Sequence, residues 1–470
     1  MCYRNMILYK SFVSGCGHFQ LNSDRMNVEW LSIAMFIVAL IVLALGYPVA
    51  FSLGGVALIF TLIGIIFGVF DPILWSAMPQ QIFGIMNNFT LLAIPYFIFL
   101  GSMLEKTGIA ENLLETMGIL FGRMRGGLAI AVIIVGGLLA ATTGVVAATV
   151  IAMGLISLPT MVRYSYNPRL AAGVIVASGT LGQIIPPSVV LVVLGDQLGI
   201  SVGNLFIGSV IPGLLMTTAF IIHVAIASWL RPDLAPALPT EVITAPGLKQ
   251  RIIKVLIPPI LLILLILGSI FFGIATPTEA GAVGCVGAII LAAFNRQLTR
   301  DNLYRACDAT LRTTSMVIFI LIGSRAFSLV FRGLGGDNVV KDMFLNLPGG
   351  QIGFLLISML IVFLLGFFID FFEIVFIVVP LLLPIAQSYN MDLVWFGVLL
   401  GANLQTSFLT PPFGFALFYL RGVAPASIST EDIYHGVIPF ITLQLIVLGL
   451  IVVFPSLVNF LPDLAQNIGR

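Results

Sequence analysis

The same motif occurs twice in this chain, 225 residues apart when counted from Pro186 to Pro411. The copies, residues 177–187 and 402–412, are runs of small and polar residues that end in Pro-Pro inside apolar segments. Such breaks are costly in lipid, because proline removes a backbone donor and Gly, Ser and Thr weaken a helix. They are tolerated where unwound backbone lines a cavity, so a matched pair predicts a transporter site built from two related halves.

Composition assigns the chain to a membrane. Of the 470 residues, 59% are apolar and 9% are charged, whereas a soluble domain carries about 25% charged residues. A formal net charge of +1 leaves no basic face for nucleic acid. The four cysteines lack Cys-x-x-Cys spacing and the three histidines are far apart. We therefore expect no transition-metal site and no organic cofactor.

Hydropathy predicts an all-α polytopic membrane protein. A spanning helix needs about 20 apolar residues. Two stretches, 128–162 and 351–388, are about twice that length and have polar centres at Ala141–Gly144 and Gly366–Glu373. Each could form two full crossings or a re-entrant hairpin, and the polar centres favour hairpins. The predicted single spans are 28–46, 49–69, 89–104, 170–196, 204–230, 255–273, 276–294, 313–332, 393–420 and 436–461.

The distribution of positive charge predicts the topology. If both long stretches return to the side that they entered, fourteen Lys and Arg residues fall on one side and Arg332, Lys341 and Arg470 on the other, with the N-terminal extension and Arg325 left out of the count. The positive-inside rule makes the richer side cytoplasmic and both termini periplasmic. The two halves then have opposite orientations, as in an inverted repeat. The fourteen are Lys106, Arg123, Arg125, Arg163, Arg169, Arg231, Lys249, Arg251, Lys254, Arg296, Arg300, Arg305, Arg312 and Arg421.

These predictions divide the chain into five parts. They are an N-terminal extension at 1–27, a first repeat at 28–230 with hairpin 128–162, a proline-rich linker at 231–254, a second repeat at 255–461 with hairpin 351–388, and a tail at 462–470. The extension is polar and is expected to lie outside the fold, with Met26 as an alternative start; a functional tail is the other interpretation.

Three shorter segments have mixed or glycine-rich sequences. Segments 105–125 and 297–312 mix charged and apolar residues, which fits either helices in the membrane interface or charged loops. Residues 333–350 contain two Gly-Gly pairs and predict a flexible approach to the second hairpin.

Asp370 is the residue most costly to bury in lipid. A carboxylate at membrane depth costs about 2.5–3.5 kcal/mol on insertion scales, and its neighbours Phe368, Phe371 and Phe372 cannot solvate it. It therefore predicts a cation or proton site at the tip of the second hairpin. The alternative is a tip that reaches the outer surface, where Asp370 and Glu373 are solvated. Glu373 follows one helical turn later and has no assigned role.

The two breaks predict a combined cation and carboxylate site. Unwound carbonyls and hydroxyl oxygens suit Na⁺, a hard cation, while helix N-termini attract anions. The predicted cation-binding residues here are Gly179, Thr180, Thr406 and Ser407; the predicted substrate-binding residues are Gly182, Pro186, Ser188, Asn403, Thr410 and Pro411; Gln405 is a further polar candidate. For any single Ser or Thr, a bond to its own helix carbonyl is the alternative. Arg325 fits either a carboxylate clamp or a side chain that extends to the interface.

Over about residues 28–460 the chain resembles the large membrane subunit of tripartite ATP-independent periplasmic (TRAP) transporters. The motifs that carry the resemblance are Leu92–Ile98, Gly179–Ser188 and Thr406–Gly414. The run Phe415–Pro425 is similar to one branch, often labelled for mannitol, chloroaromatic or keto-acid transport.

The resemblance implies an elevator-type transporter in the bacterial inner membrane, with two re-entrant hairpins in a moving domain. It implies Na⁺ as coupling ion, import of organic acids, and two partners: a small four-helix membrane subunit, expected as a separate polypeptide, and a soluble periplasmic binding protein. The first tip would be Ala141–Val145 and the second Phe368–Phe372. Related first tips are of the Gly-Ser-Ser type, whereas this chain has Ala-Thr-Thr-Gly. Because hydroxyls are retained, Thr142, Thr143 and Gly144 are also expected to bind the cation.

Two other functions make different demands on the sequence. A stand-alone Na⁺- or H⁺-coupled carboxylate symporter would work without a binding protein. An intramembrane enzyme would need clustered acids or histidines for its chemistry, and only Asp370 and Glu373 come close. We therefore predict a transporter subunit and not an enzyme.

Overall fold

The computed structural model describes residues 29–143, 146–239, 251–345 and 347–468. In these ranges the chain forms twenty-one α-helices, joined by short 3₁₀ and π turns, and no strand. The helices are α1 (Glu29–Ala44), α2 (Val49–Ile66), α3 (Met78–Met86), α4 (Ala93–Lys106), α5 (Ile109–Phe121), α6 (Gly127–Thr143), α7 (Val146–Arg163), α8 (Pro168–Thr180), α9 (Val189–Leu198), α10 (Val202–Leu230), α11 (Ile257–Phe271), α12 (Pro277–Phe294), α13 (Arg300–Gly333), α14 (Gly336–Leu345), α15 (Gly350–Leu365), α16 (Phe371–Ile377), α17 (Val379–Ser388), α18 (Leu393–Leu409), α19 (Phe415–Val423), α20 (Thr430–Val453) and α21 (Ser456–Ile468).

The helices have the length and composition of a membrane protein. Among the described residues, eight helical segments are long and apolar enough to cross a bilayer, or nine if the bent pair α16–α17 forms one span. Large apolar side chains such as Leu264 and Phe294 are exposed, as expected where helices face lipid. The prediction of an all-α polytopic membrane protein is confirmed.

The chain divides into two compact units, Met1–Gln81 with Gly323–Asn346 and Ile82–Ile322 with Leu347–Arg470. In the first unit, α1 packs against α2 and α14. The N-terminal extension predicted at 1–27 lies outside the described residues. The segment predicted to be flexible contains α14 instead, because its glycines bound helices: Gly335 and Gly349 both have positive φ, 80° and 98°, a conformation suited to helix ends.

In the second unit, both predicted breaks interrupt helices. α8 ends at Thr180 and α9 begins at Val189, while α18 ends at Leu409 and α19 begins at Phe415. The peptide bond between the two prolines is cis in each break. The predicted spans 170–196 and 393–420 are therefore each a pair of helices.

The helices beside the breaks pack reciprocally across the two halves of the chain. α8 packs against α6 and α7, and α18 packs against α15, so each helix before a break contacts the long apolar stretch of its own half. Each helix after a break packs against the long apolar stretch of the other half: α9 packs against α16 and α17, and α19 packs against α7. This reciprocity is the arrangement that two related halves would produce.

The two long apolar stretches each fold as more than one helix. Residues 128–162 form α6 and α7, which pack against each other, and residues 351–388 form α15 followed by α16 and α17. α16 and α17 are bent by 48° with respect to each other. Whether either stretch re-enters the membrane stays a prediction.

The segments with mixed sequence are largely helical. Segment 105–125 contains α5, which ends at Phe121, and Glu115 on α5 pairs with Arg251. Residues 300–312 are continuous with the predicted span 313–332, because both lie in the 34-residue α13. Its first turns carry the i,i+4 ion pair Arg305–Asp301, which supports a helix rather than a loop.

Two predicted boundaries shift in the structure. The last predicted span, 436–461, is interrupted between α20 and α21 at Pro455, since proline disfavours helix at the preceding residue. The predicted tail at 462–470 is largely part of α21. In the linker, residues 240–250 lie outside the described ranges, and the chain is helical again from Arg251.

Candidate functional site

The two breaks and the two long apolar stretches meet at one small cavity of about 30 Å³. It is lined by Val146, Ala147, Gln183, Val190, Asp370, Phe371, Phe372, Phe408, Phe415 and Tyr419. These residues come from the start of α7, the first break, α9, the start of α16, the end of α18 and α19. The convergence of both breaks, which the doubled motif predicts, is therefore present in the fold.

The lining of this cavity repeats the offset of the sequence motif. Eight of its ten lining residues form four pairs, each separated by the same 225 residues. A cavity that receives equivalent positions from two related halves lies where those halves face each other. The pairs are Val146 with Phe371, Ala147 with Phe372, Gln183 with Phe408 and Val190 with Phe415.

Asp370 lies at the edge of this cavity, immediately before α16. Its backbone is extended (φ −73°, ψ 170°) and its side chain makes no capping bond to the helix, so the carboxylate is free to face the cavity. Glu373, one turn later, is only 7% exposed, and its Oε2 has no hydrogen-bond partner among the described residues. The alternative in which both acids are solvated at a surface therefore does not hold for Glu373.

Two predicted ligand residues of the second break, Asn403 and Ser407, form hydrogen bonds that connect α18 to α15. The Asn403 side-chain amide donates to the carbonyl of Met359 at 2.7 Å, and the Ser407 hydroxyl donates to the carbonyl of Phe363 at 2.5 Å. Gly366 approaches the Ser407 side chain so closely that a Cβ there would overlap it. The structure thus gives both side chains a positioning role, and their roles as substrate and cation ligands stay predictions.

The remaining hydroxyl candidates bond to nearby backbone. Thr180, Thr406 and Thr410 donate to the carbonyls of Ala177, Ala402 and Thr406 of their own helices, at 2.9, 2.8 and 2.7 Å. Ser188 donates to the carbonyl of Gln183 at 3.2 Å, across the first break. The three threonines therefore follow the alternative interpretation, a hydrogen bond to a carbonyl of their own helix. Each hydroxyl oxygen still has a lone pair available for a cation.

The predicted glycine ligands are positions of close helix approach. A Cβ at Gly179 would lie 2.5 Å from a methyl carbon of Val150 on α7, and one at Gly182 would overlap the carbonyl group of Ala140 on α6. Pro186 is buried and Pro411 half-buried in their turns. The first break therefore depends on glycine to reach both α6 and α7.

The predicted first tip is only partly described. α6 ends at Thr143, but the side chains of Thr142 and Thr143 and the whole of Gly144 lie outside the described residues. Their predicted part in cation binding stays a prediction.

Sequence reasoning did not predict seven of the lining residues: Val146, Ala147, Gln183, Val190, Phe408, Phe415 and Tyr419. Gln183 and Phe408 occupy equivalent positions of the repeated motif, so the 225-residue offset was a signal that could have found both. Tyr419 pairs by the same offset with Leu194, which does not line the cavity, so no repeat signal marks it.

A family model, described as "Tripartite ATP-independent periplasmic transporter, DctM component", matches residues 36–457. The chain belongs to this family. The match includes both breaks and the whole cavity lining, and it confirms the resemblance to TRAP large membrane subunits.

Relatives within the TRAP family cover nearly the whole chain. The C4-dicarboxylate TRAP transporter large permease protein DctM of Vibrio cholerae is 31% identical over 92% of this chain and 98% of its own length. The sialic acid TRAP transporter large permease protein SiaM of the same organism is 31% identical over 90% of this chain and 97% of its own length. Large permeases of this family are multi-pass inner-membrane proteins that work with a small membrane subunit and a periplasmic binding protein.

A solved transporter shares the fold. The crystal structure of the Alcanivorax borkumensis YdaH transporter matches with a TM-score of 0.53 at 15% identity, covering 82% of this chain and 88% of that one. At this identity the likeness concerns the fold alone, which is that of a membrane transporter.

Proposed function

We propose that this permease imports an organic acid across the inner membrane, driven by a Na⁺ gradient and fed by a periplasmic binding protein. The observation that carries the proposal is the cavity to which both halves contribute equivalent positions. In transporters built from repeats, substrate and coupling ion bind where the repeats meet, among broken helices.

Three helix N-termini at this cavity favour an anionic substrate. α7, α9 and α19 begin at Val146, Val189 and Phe415, and the first turn of each helix supplies a lining residue. Helix N-termini present unpaired N–H groups and a positive partial charge, so they stabilise a carboxylate. The relatives named for C4-dicarboxylates and sialic acid support an organic acid as the class of substrate.

Asp370 and the unwound backbone favour a cation in the same place. The carboxylate, the carbonyl oxygens of the two breaks and the lone pairs of the Ser and Thr hydroxyls form an all-oxygen environment, which suits Na⁺. A cation beside Asp370 also offsets the cost of holding that charge in an apolar surrounding. Coupling requires Na⁺ and the acid to favour the same state, since a ligand that binds two states equally shifts neither.

The proposal includes an elevator movement of the two hairpins, periplasmic termini and a small membrane subunit encoded separately. The reciprocal packing of α9 and α19 on the opposite half supports a single moving body that contains both breaks. Fourteen positive charges on one predicted face support cytoplasmic placement of that face.

The test is uptake of radiolabelled organic acids into proteoliposomes that hold the chain and its small membrane subunit. We expect uptake only with an inward Na⁺ gradient and the matched binding protein together. Equal uptake without the binding protein would indicate the stand-alone symporter instead. Uptake that is indifferent to Na⁺, with K⁺ as the control cation, would contradict Na⁺ coupling.

A further inference from the structure

Two buried glutamine side chains have amide atoms that lack partners among the described residues, and one of them, Gln183, lines the cavity. Gln405 on α18 is fully buried, and neither its Oε1 nor its Nε2 has a hydrogen-bond partner among the described residues. Gln183, in the 3₁₀ turn after α8, is 1% exposed, and its Oε1 also has no partner there. Buried polar atoms are costly when unpaired and are nearly always satisfied, so these amides point to a ligand.

The two amides lie next to the same stretch of α18. The carbonyl oxygen of Gln183 lies 3.9 Å from the position of a Cβ at Gly401, and Gln183 lines the cavity together with Phe408. This oxygen belongs to the backbone, so the main chain of Gln183 lies beside α18 near Gly401. Gln405 follows Gly401 by four residues and precedes Phe408 by three, which places it on the same face of the helix between them.

The amide chemistry restricts the group that can bind. A single group that pairs with both residues must accept from Nε2 of Gln405 and donate to Oε1 of Gln183. A carboxylate or a keto oxygen only accepts, and a cation only receives electron density from Oε1, whereas a hydroxyl group both donates and accepts.

We infer that Gln183 and Gln405 bind a hydroxyl group of the transported acid, so that the substrate is a hydroxylated carboxylate. The inference rests on the proposed function, since it assigns a further group of the same substrate. At the equivalent positions of the repeat, Gln183 corresponds to Phe408 and Gln405 corresponds to Thr180, so neither amide is repeated. The helix N-termini that follow the breaks, at α9 and α19, occur in both halves and the amides do not, so the amides distinguish one organic acid from another.

The test compares acids that differ by one hydroxyl, with malate against succinate and lactate against propionate as the first pairs. The reconstituted complex with its binding protein takes up each acid under a Na⁺ gradient, for the unaltered chain and for Gln405→Leu and Gln183→Leu. We expect the unaltered chain to prefer the hydroxy acid by about tenfold in kcat/KM, the value of one buried hydrogen bond. In either variant the ratio of kcat/KM for the two acids approaches one.

Gln444→Leu on α20 is the matched control. Gln444 is likewise fully buried with both amide atoms unpartnered among the described residues, but it lies on α20, which contributes no residue to the cavity lining, whereas α18 contributes Phe408. Leucine is expected to be tolerated at all three positions, because exchanging an unpaired buried amide for an apolar group is nearly neutral. Since every variant receives substrate from the same binding protein, a change in ratio arises in this chain.

The possible outcomes of this test distinguish failure of the inference about the glutamines from failure of the proposed function. Equal uptake of the hydroxy acid and the deoxy acid by the unaltered chain overturns the inference. An unchanged kcat/KM ratio in the Gln405 and Gln183 variants also overturns it, and so does an equal loss of preference in Gln444→Leu. Absence of Na⁺-driven uptake of any organic acid contradicts the proposed function instead.

Discussion

Replacement of Asp370 by Asn is expected to raise the Na⁺ concentration for half-maximal uptake by at least about 100-fold, because loss of one partner of a buried charge pair costs about 3–5 kcal/mol. Asn has nearly the same shape, and Asp370 makes no capping bond to α16. The variant should therefore fold and still bind its small membrane subunit. The measurement is a Na⁺ titration of initial uptake rates at saturating binding protein.

Asp342→Asn provides the control for loss of a negative charge. Asp342 is exposed on α14, so its removal should leave the Na⁺ titration unchanged. An Asp370→Asn variant with the same Na⁺ titration as the unaltered chain would remove Asp370 from the cation site. It would leave the two breaks and the first tip as the proposed sources of cation ligands.

Gly182→Ala is expected to destabilise the permease by about 2 kcal/mol or more, at the upper end of the cost of overpacking. A Cβ at this position would overlap the backbone carbonyl group of Ala140 and lie 2.6 Å from its Cβ. Backbone cannot rotate away as a flexible side chain can, so the first break would separate from α6. The measurements are the thermal unfolding temperature of the purified protein and its yield as a monodisperse complex.

Gly401→Ala on α18 is the matched control for that substitution. The nearest atoms to a Cβ at Gly401 are side-chain carbons of Leu191 and Leu194, both at 3.7 Å, which is ordinary contact. Alanine also favours helix over glycine by about 1 kcal/mol. Equal stability of the two variants would contradict the close approach of the first break to α6.

Features that depend on local chemistry could be predicted from the sequence. The Pro-Pro breaks interrupt helices because proline has no N–H to donate, and the apolar lengths predict the spans. The position of Asp370 at the cavity also follows from its cost in lipid. Errors fell in connections such as 333–350, where glycines serve as helix ends and enclose α14, and in the last predicted span, which is interrupted at Pro455.

The choice of side-chain partners could not be predicted in this way. Asn403 and Ser407 were predicted as ligands, yet both side chains donate to backbone carbonyls of α15. That helix lies about forty residues earlier in the chain, and local sequence does not determine which of its carbonyls face α18. Tyr419 reaches the cavity through the packing of α19 on α7. Partners of this kind depend on tertiary packing and not on spacing along the chain.

The most direct test of the central claim is thiol labelling at Ala147. This residue lines the cavity, and Ala152 on the same helix is similarly half-buried but does not line it. In a chain without native cysteines, Na⁺ together with a transported acid should slow modification of Ala147→Cys and leave that of Ala152→Cys unchanged. Equal rates at position 147 with and without both ligands would contradict the assignment of this cavity as the transport site.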